Sequence, residues 1–112
     1  MFVTRNIDPS AVAALNDAHR RQPGSGWTLT AGVHDLGGAF VAEAVAAVVA
    51  HDDFDADNDP YGERDFGTVR VRGQRLFWKI DYYDLALERG SPDPADPAVT
   101  RRVLTLMLAS EY

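Results

Sequence analysis

Gly67-Thr68-Val69-Arg70-Val71-Arg72-Gly73-Gln74-Arg75-Leu76-Phe77-Trp78-Lys79-Ile80-Asp81-Tyr82-Tyr83-Asp84 alternates apolar and polar side chains on both sides of Gly73. Period-two alternation around a turn residue is the mark of a β-hairpin with one buried face. A two-residue turn at Gly73-Gln74 predicts Arg72 opposite Arg75, Val71 opposite Leu76, Arg70 opposite Phe77 and Val69 opposite Trp78. Val69, Val71, Leu76, Trp78, Ile80 and Tyr82 then share the core face. Arg70, Arg72, Arg75, Phe77, Lys79, Asp81 and Tyr83 share the wet one.

The elements around the hairpin follow from turn and capping chemistry. Asp8-Pro9 supplies an N-cap and a first-turn proline, Val12, Leu15, Ala18 and His19 recur at helical spacing, and Pro23-Gly24-Ser25-Gly26 ends this first helix. Trp27 to Val33, rich in Thr and bulky residues, is predicted to be a strand. Val41, Val45, Val48 and Val49 form the apolar stripe of a second helix ending near His51. Beyond the hairpin, Arg89-Gly90-Ser91-Pro92-Asp93-Pro94-Ala95 is a loop. Asp96-Pro97 repeats the helix-start pattern, and Val99, Val103, Leu104, Met107 and Leu108 predict a last helix running almost to Tyr112. The expected fold is α+β in the order α-β-α-β-β-α: a small, three-stranded, mainly antiparallel sheet covered on one face by three helices.

The composition sets bounds on this reading. A chain of 112 residues, 46% of them hydrophobic, can bury one core, so residues 1–112 are expected to form a single domain. With no cysteine there is neither a disulfide framework nor a thiolate zinc site. The longest apolar run, Ala44 to Ala50, is seven residues, far below the ~20 needed to cross a bilayer. Met1 to Pro9 lacks the features of a secretory signal, so a cytoplasmic location is expected.

Charge singles out a candidate site. From His51 to Phe66 lie Asp52, Asp53, Asp55, Asp57, Asp59, Glu63 and Asp65 against Arg64 alone, so this one segment carries the whole net charge of −6. These acids, together with Tyr61, are the candidate interaction surface. Such a field repels nucleic acid and suits solubility, a cation or a basic protein partner. An EF-hand loop starting at Asp53 would have Asp55 and Asp57 correctly placed, but Asn58 at its sixth position and Arg64 at its twelfth, where a bidentate glutamate is required. Asn58-Asp59-Pro60-Tyr61-Gly62 reads instead as turn chemistry, and no metal site is assigned.

No catalytic residue and no cofactor are assigned either. The histidines are His19, His34 and His51, and sequence neighbours such as His34-Asp35 and His51-Asp52 point in different directions on regular structure. His51, near a helix C-terminus, is expected to act as a cationic cap. The outer hairpin face, with Arg70, Arg72, Arg75 and Lys79 beside Phe77 and Tyr83, is a secondary candidate surface. Its composition suits single-stranded nucleic acid, but the same alternation is the ordinary look of a half-exposed strand, and the acidic segment just before it is expected to neutralise it.

Several blocks resemble a known family. Asn58-Asp59-Pro60-Tyr61-Gly62-Glu63-Arg64-Asp65-Phe66-Gly67, Phe77 to Asp84, Ser91-Pro92-Asp93-Pro94 and Thr100 to Tyr112 are similar to the signature blocks of the small bacterial domain-of-unknown-function family number 3768. Leu15-Asn16-Asp17 and Thr30-Ala31-Gly32-Val33 are similar to its N-terminal blocks. That family has no assigned activity, and the resemblance implies only an association with plasmids and other mobile elements. Arg64 stands where the family pattern carries a histidine, which argues against a metal ligand there. The functional expectation is a non-enzymatic interaction or anti-defence factor whose anionic surface meets a basic protein partner, with no membrane involved. The alternatives are a metal-dependent enzyme using the Asp-rich segment and histidines, or a nucleic-acid-binding accessory protein.

Overall fold

A computed structural model describes residues 8–112; the opening segment read above for a signal falls largely in residues 1–7, outside the described residues. Helix α1 (Pro9–Arg20) is followed by strand β1 (Trp27–Leu29), a short helix α2 (Ala31–His34) and helix α3 (Gly38–Ala50). Strands β2 (Phe66–Val71), β3 (Gln74–Tyr83) and β4 (Arg101–Leu108) come next, and a 3-10 turn (Ala109–Glu111) closes the chain. Among the described residues the fold is α+β with three α-helices, but the sheet has four strands, not three. Their order is β1-β4-β3-β2, with β1 parallel to β4 and the other pairs antiparallel. No helix among the described residues is long and apolar enough to cross a membrane.

The largest correction is the last helix, which is strand β4. Leu104 and Leu106 are fully buried on the helix-covered side and Met107 is buried on the other, because β4 lies between β1 and β3 with neighbours on both edges. With Met107 buried next to Leu106 the strand has no clean alternation, and its short apolar run fits a helical stripe equally well. Asp96 does form a local turn, its carboxylate accepting from the Ala98 backbone N–H at 2.9 Å, yet no helix follows. The strand predicted over Trp27–Val33 also ends early. Thr30 caps α2 by accepting from the Val33 N–H, so the chain turns away from the sheet after three strand residues.

The hairpin keeps its faces but moves its register. The turn is Arg72-Gly73, both with positive φ (50° and 79°), the arrangement of a type I′ turn with glycine second. Val71 therefore faces Gln74, Arg70 faces Arg75, Val69 faces Leu76 and Gly67 faces Trp78. A shift of two residues preserves every inward and outward assignment. Leu76 and Trp78 are fully buried and Val71 and Ile80 nearly so, packed against Val33 and the α3 side chains Phe40, Ala44 and Val48. That α3 stripe differs from the valine stripe read in the sequence, sharing only Val48.

Helix α1 departs furthest from its expected pattern. Asp8 caps it as predicted, its carboxylate accepting from the Ser10 N–H. Its buried face, however, is Val12, Ala13, Asn16 and Arg20, while Leu15 and His19 are only partly covered and Ala18 is exposed. Two strongly polar side chains at zero exposure require dedicated partners.

Candidate functional site

Those of Asn16 come from the acidic segment and the sheet, and those of Arg20 from α3 and from Asp17. Asn16 donates from Nδ2 to the Glu63 carbonyl at 2.9 Å and to the Tyr82 hydroxyl at 2.8 Å, and its Oδ1 accepts from Arg102 Nε at 2.7 Å. The Tyr82 hydroxyl in turn donates to a Glu63 carboxylate oxygen at 3.0 Å. Arg102 also reaches the Pro94 carbonyl. One asparagine thus ties α1 to the end of the acidic segment, β3, β4 and, through Arg102, the Ser91–Pro94 loop.

One turn further along α1, Arg20 places a guanidinium nitrogen on the Val48 and Val49 carbonyls, both at 3.0 Å, near the C-terminus of α3 where free carbonyls collect. Its other terminal nitrogen meets Asp17 at 2.9 Å. The second Asp17 oxygen takes Arg64, also at 2.9 Å. Phe54 is the apolar pin of the assembly: the Arg20 and Arg64 guanidinium carbons lie 5.6 and 5.1 Å from its ring centre, and His51 and Trp78 pack on it at 4.7 and 6.1 Å. Cation–ring contacts of this kind add to the ion pairs.

Between these anchors the loop is held by its own side chains. The Asp55 carboxylate accepts from the backbone N–H groups of Asp57 and Asn58, at 2.8 and 3.0 Å. Asn58 accepts from the Asp55 N–H and donates to the Asp53 carbonyl, at 2.8 and 2.9 Å. Asp59 accepts from the Arg64 N–H, which helps hold Arg64 at its positive φ of 55°. The turn chemistry read from Asn58 to Gly62 is therefore present and extends back to Asp53.

The predicted site residues fall into two groups. Asp52, Asp53, Asp55, Asp57 and Tyr61 are exposed, whereas Asp59, Glu63 and Asp65 are partly buried and bind within the fold. Burial, followed by the charge of Glu63, raises the Asp65 pKa. Burial holds the Tyr82 hydroxyl far above the ordinary tyrosine range, so it remains a donor to Glu63. His51 does stand at the C-cap of α3, but its ring packs on Phe54 and Trp78, and burial, then Arg20, lowers its pKa, which works against the cationic cap the sequence predicts. Among the described residues, no three His, Asp or Glu side chains converge as metal ligands.

The secondary candidates also separate. Arg72 turns back to Glu43 on α3 at 2.8 Å, and Lys79 pairs with Asp81 at 3.1 Å. Arg70 and Arg75 pair with no carboxylate among the described residues, so the neutralisation expected from the acidic segment does not occur through ion pairs. The residues that sequence reading missed are Asn16, Asp17, Arg20, Tyr82 and Arg102. Apart from Arg20, which had none, their sequence signal was that Leu15-Asn16-Asp17, the Tyr61-to-Gly67 stretch, the Tyr82 block and Thr100-Arg101-Arg102 all lie in family-like blocks; in space these blocks meet at Asn16.

The fold and this network define a small α+β domain with a mixed four-stranded sheet and an acidic loop braced by a buried polar cluster. A family model described as "Protein of unknown function (DUF3768)" matches residues 29–111, and the chain belongs to that family. No curated protein and no solved structure matches it.

Proposed function

We propose that the protein is an interaction factor whose acidic loop docks on a basic protein surface. One observation carries this reading: Arg64, the sole base in the segment, is drawn off to Asp17 and Phe54, so among the described residues no arginine or lysine pairs with Asp52, Asp53, Asp55, Asp57 or Asp59. The charge is also preorganised, since the Asp55–Asn58 turns hold the backbone before any partner arrives. A fixed row of carboxylates steers a basic partner and lowers the ordering cost of binding. Within this reading, the finer role is that of an inhibitor covering a phosphate-binding groove of a defence enzyme, as a factor carried by a mobile element would do. The metal-enzyme alternative loses support because Arg64 closes the loop where a ligand would stand and points to α1.

The test compares the wild type with a variant carrying Asp53→Asn, Asp55→Asn and Asp57→Asn together. The partner is the protein retained from host lysate by immobilised wild type and released by salt. Once it is purified, its association rate with the variant should fall about tenfold at low ionic strength, and the difference should shrink at high salt. Equal association rates at low salt would refute the reading.

A further inference from the structure

The three long strands have a second face. Arg70, Thr68 and Phe66 of β2, alternate residues from Arg75 to Tyr83 of β3, and Arg101 to Met107 of β4 point away from the side on which α1, α2 and α3 pack. We propose that this face, free of helices among the described residues, is a platform for single-stranded nucleic acid, with Arg70, Arg75 and Arg101 on phosphates and Tyr112 and Tyr83 stacking on bases. This surface adjoins the exposed carboxylates of the acidic loop but uses none of them, and it goes beyond the role assigned to them.

The first support is an unrelieved charge. Arg70 and Arg75 are directly opposite in the register, and like charges so placed repel. Arg72 and Lys79 are each committed to a carboxylate, yet among the described residues neither member of this pair is. A bound phosphate relieves that repulsion. The second support is aromatic. Phe66, Phe77 and Tyr112 pack at centroid distances of 5.3, 5.4 and 5.8 Å, which leaves Tyr112 75% exposed on a rigid base of two rings. The Arg75 guanidinium lies 5.0 Å from the Phe77 ring centre, so a cation and an aromatic surface stand side by side, as a nucleotide's phosphate and base require.

Dimensions agree with this. Arg75 to Tyr83 spans eight steps of β3, roughly 26 Å at 3.3 Å per residue, room for about four nucleotides. Arg101 is the register partner of Tyr83, so a further cation and a further ring occupy neighbouring strand positions at the far end. The acidic loop borders the β2 edge near Phe66 and Thr68, where Asp53 and Asp57 share a cleft with them. The loop's charge therefore opposes binding from that edge, without the loop supplying any of the contacts. An acidic peptide would satisfy the arginines but has no bases to use the exposed tyrosine.

The experiment is fluorescence anisotropy of a short fluorescein-labelled oligothymidylate with the full chain at low salt. Binding should weaken with salt at a log–log slope near about −2, the release expected for three phosphate contacts on a single strand. The double variant Arg70→Gln with Arg75→Gln should lose about tenfold in affinity and flatten that slope. Tyr112→Ala should lose about tenfold with the slope unchanged, and Tyr112→Phe should bind as the wild type does. The three loop aspartates changed to asparagine should bind more tightly, the opposite of their effect on the protein partner, so the two readings fail separately. Urea midpoints close to the wild type's confirm that these surface variants fold. Absence of an anisotropy change at low salt overturns the proposal, as does equal competition by polyglutamate with no effect of Tyr112→Ala, the result expected of an acidic-peptide site.

Discussion

Replacing Asn16 with alanine tests whether the polar cluster holds the fold together. The side chain is fully buried and makes three hydrogen bonds to partners 47, 66 and 86 residues away in sequence. Tyr82 keeps Glu63 after the change, and Arg102 keeps the Pro94 carbonyl. The Glu63 carbonyl loses its side-chain donor and Arg102 Nε its acceptor. Each buried group left unsatisfied costs about 1–3 kcal/mol, and the loss at a charged group lies at the upper end. The expected destabilisation is therefore about 3–4 kcal/mol, a large share of the roughly 5–15 kcal/mol that holds a domain of this kind folded. Urea denaturation followed by Trp fluorescence should show a lower midpoint with an unchanged slope. A double-mutant cycle with Tyr82→Phe should give a coupling of about 1 kcal/mol, since the two side chains share a bond. A loss below about 1 kcal/mol, or strict additivity in the cycle, would mean that the cluster is incidental to stability.

Gly67→Ala should destabilise by about 2–3 kcal/mol in the same assay, because the new Cβ would sit 2.4 to 2.8 Å from the buried Trp78 indole, whose neighbours leave it no room to shift; an unchanged midpoint would refute that packing. His51 carries a pH signature. Its folded pKa is depressed below the unfolded value of 6.5, so the unfolded chain binds the proton more readily, and the stability due to neutral His51 is full above that pH and is lost as pH falls through it toward the folded value. Urea midpoints measured from about pH 7.5 to 5 should decline less steeply in His51→Gln than in the wild type, and parallel declines would refute the assignment.

The acidic loop and the hairpin were legible because their signals are local. An N-cap at Asp8, turn residues from Asn58 to Gly62 and the alternation from Val69 to Tyr82 act over a few residues, and the structure realises all three. The hairpin register was not legible to within two residues, since moving the turn from Gly73-Gln74 to Arg72-Gly73 leaves every face unchanged, and the side-chain pattern cannot tell the two apart. Only the backbone requirement of two positive φ angles selects the observed turn. The α1 stripe failed for another reason: hydrophobic periodicity ranks Leu15 above Asn16 and Arg20, and nothing local reveals that distant carbonyls and carboxylates await those polar groups.

By itself the sequence determined the α+β class, the capped first helix, the inward face of the hairpin and the concentration of the net charge in one segment, because composition, capping and period-two alternation follow from neighbouring residues. The tertiary structure alone decided that Arg101–Leu108 is a strand, that Arg64 leaves the aspartates for Asp17, and that Arg70 confronts Arg75. Each of these depends on a partner far along the chain. A strand between two others exchanges its helical option for hydrogen bonds on both edges, and an arginine goes to whichever carboxylate the fold brings within reach.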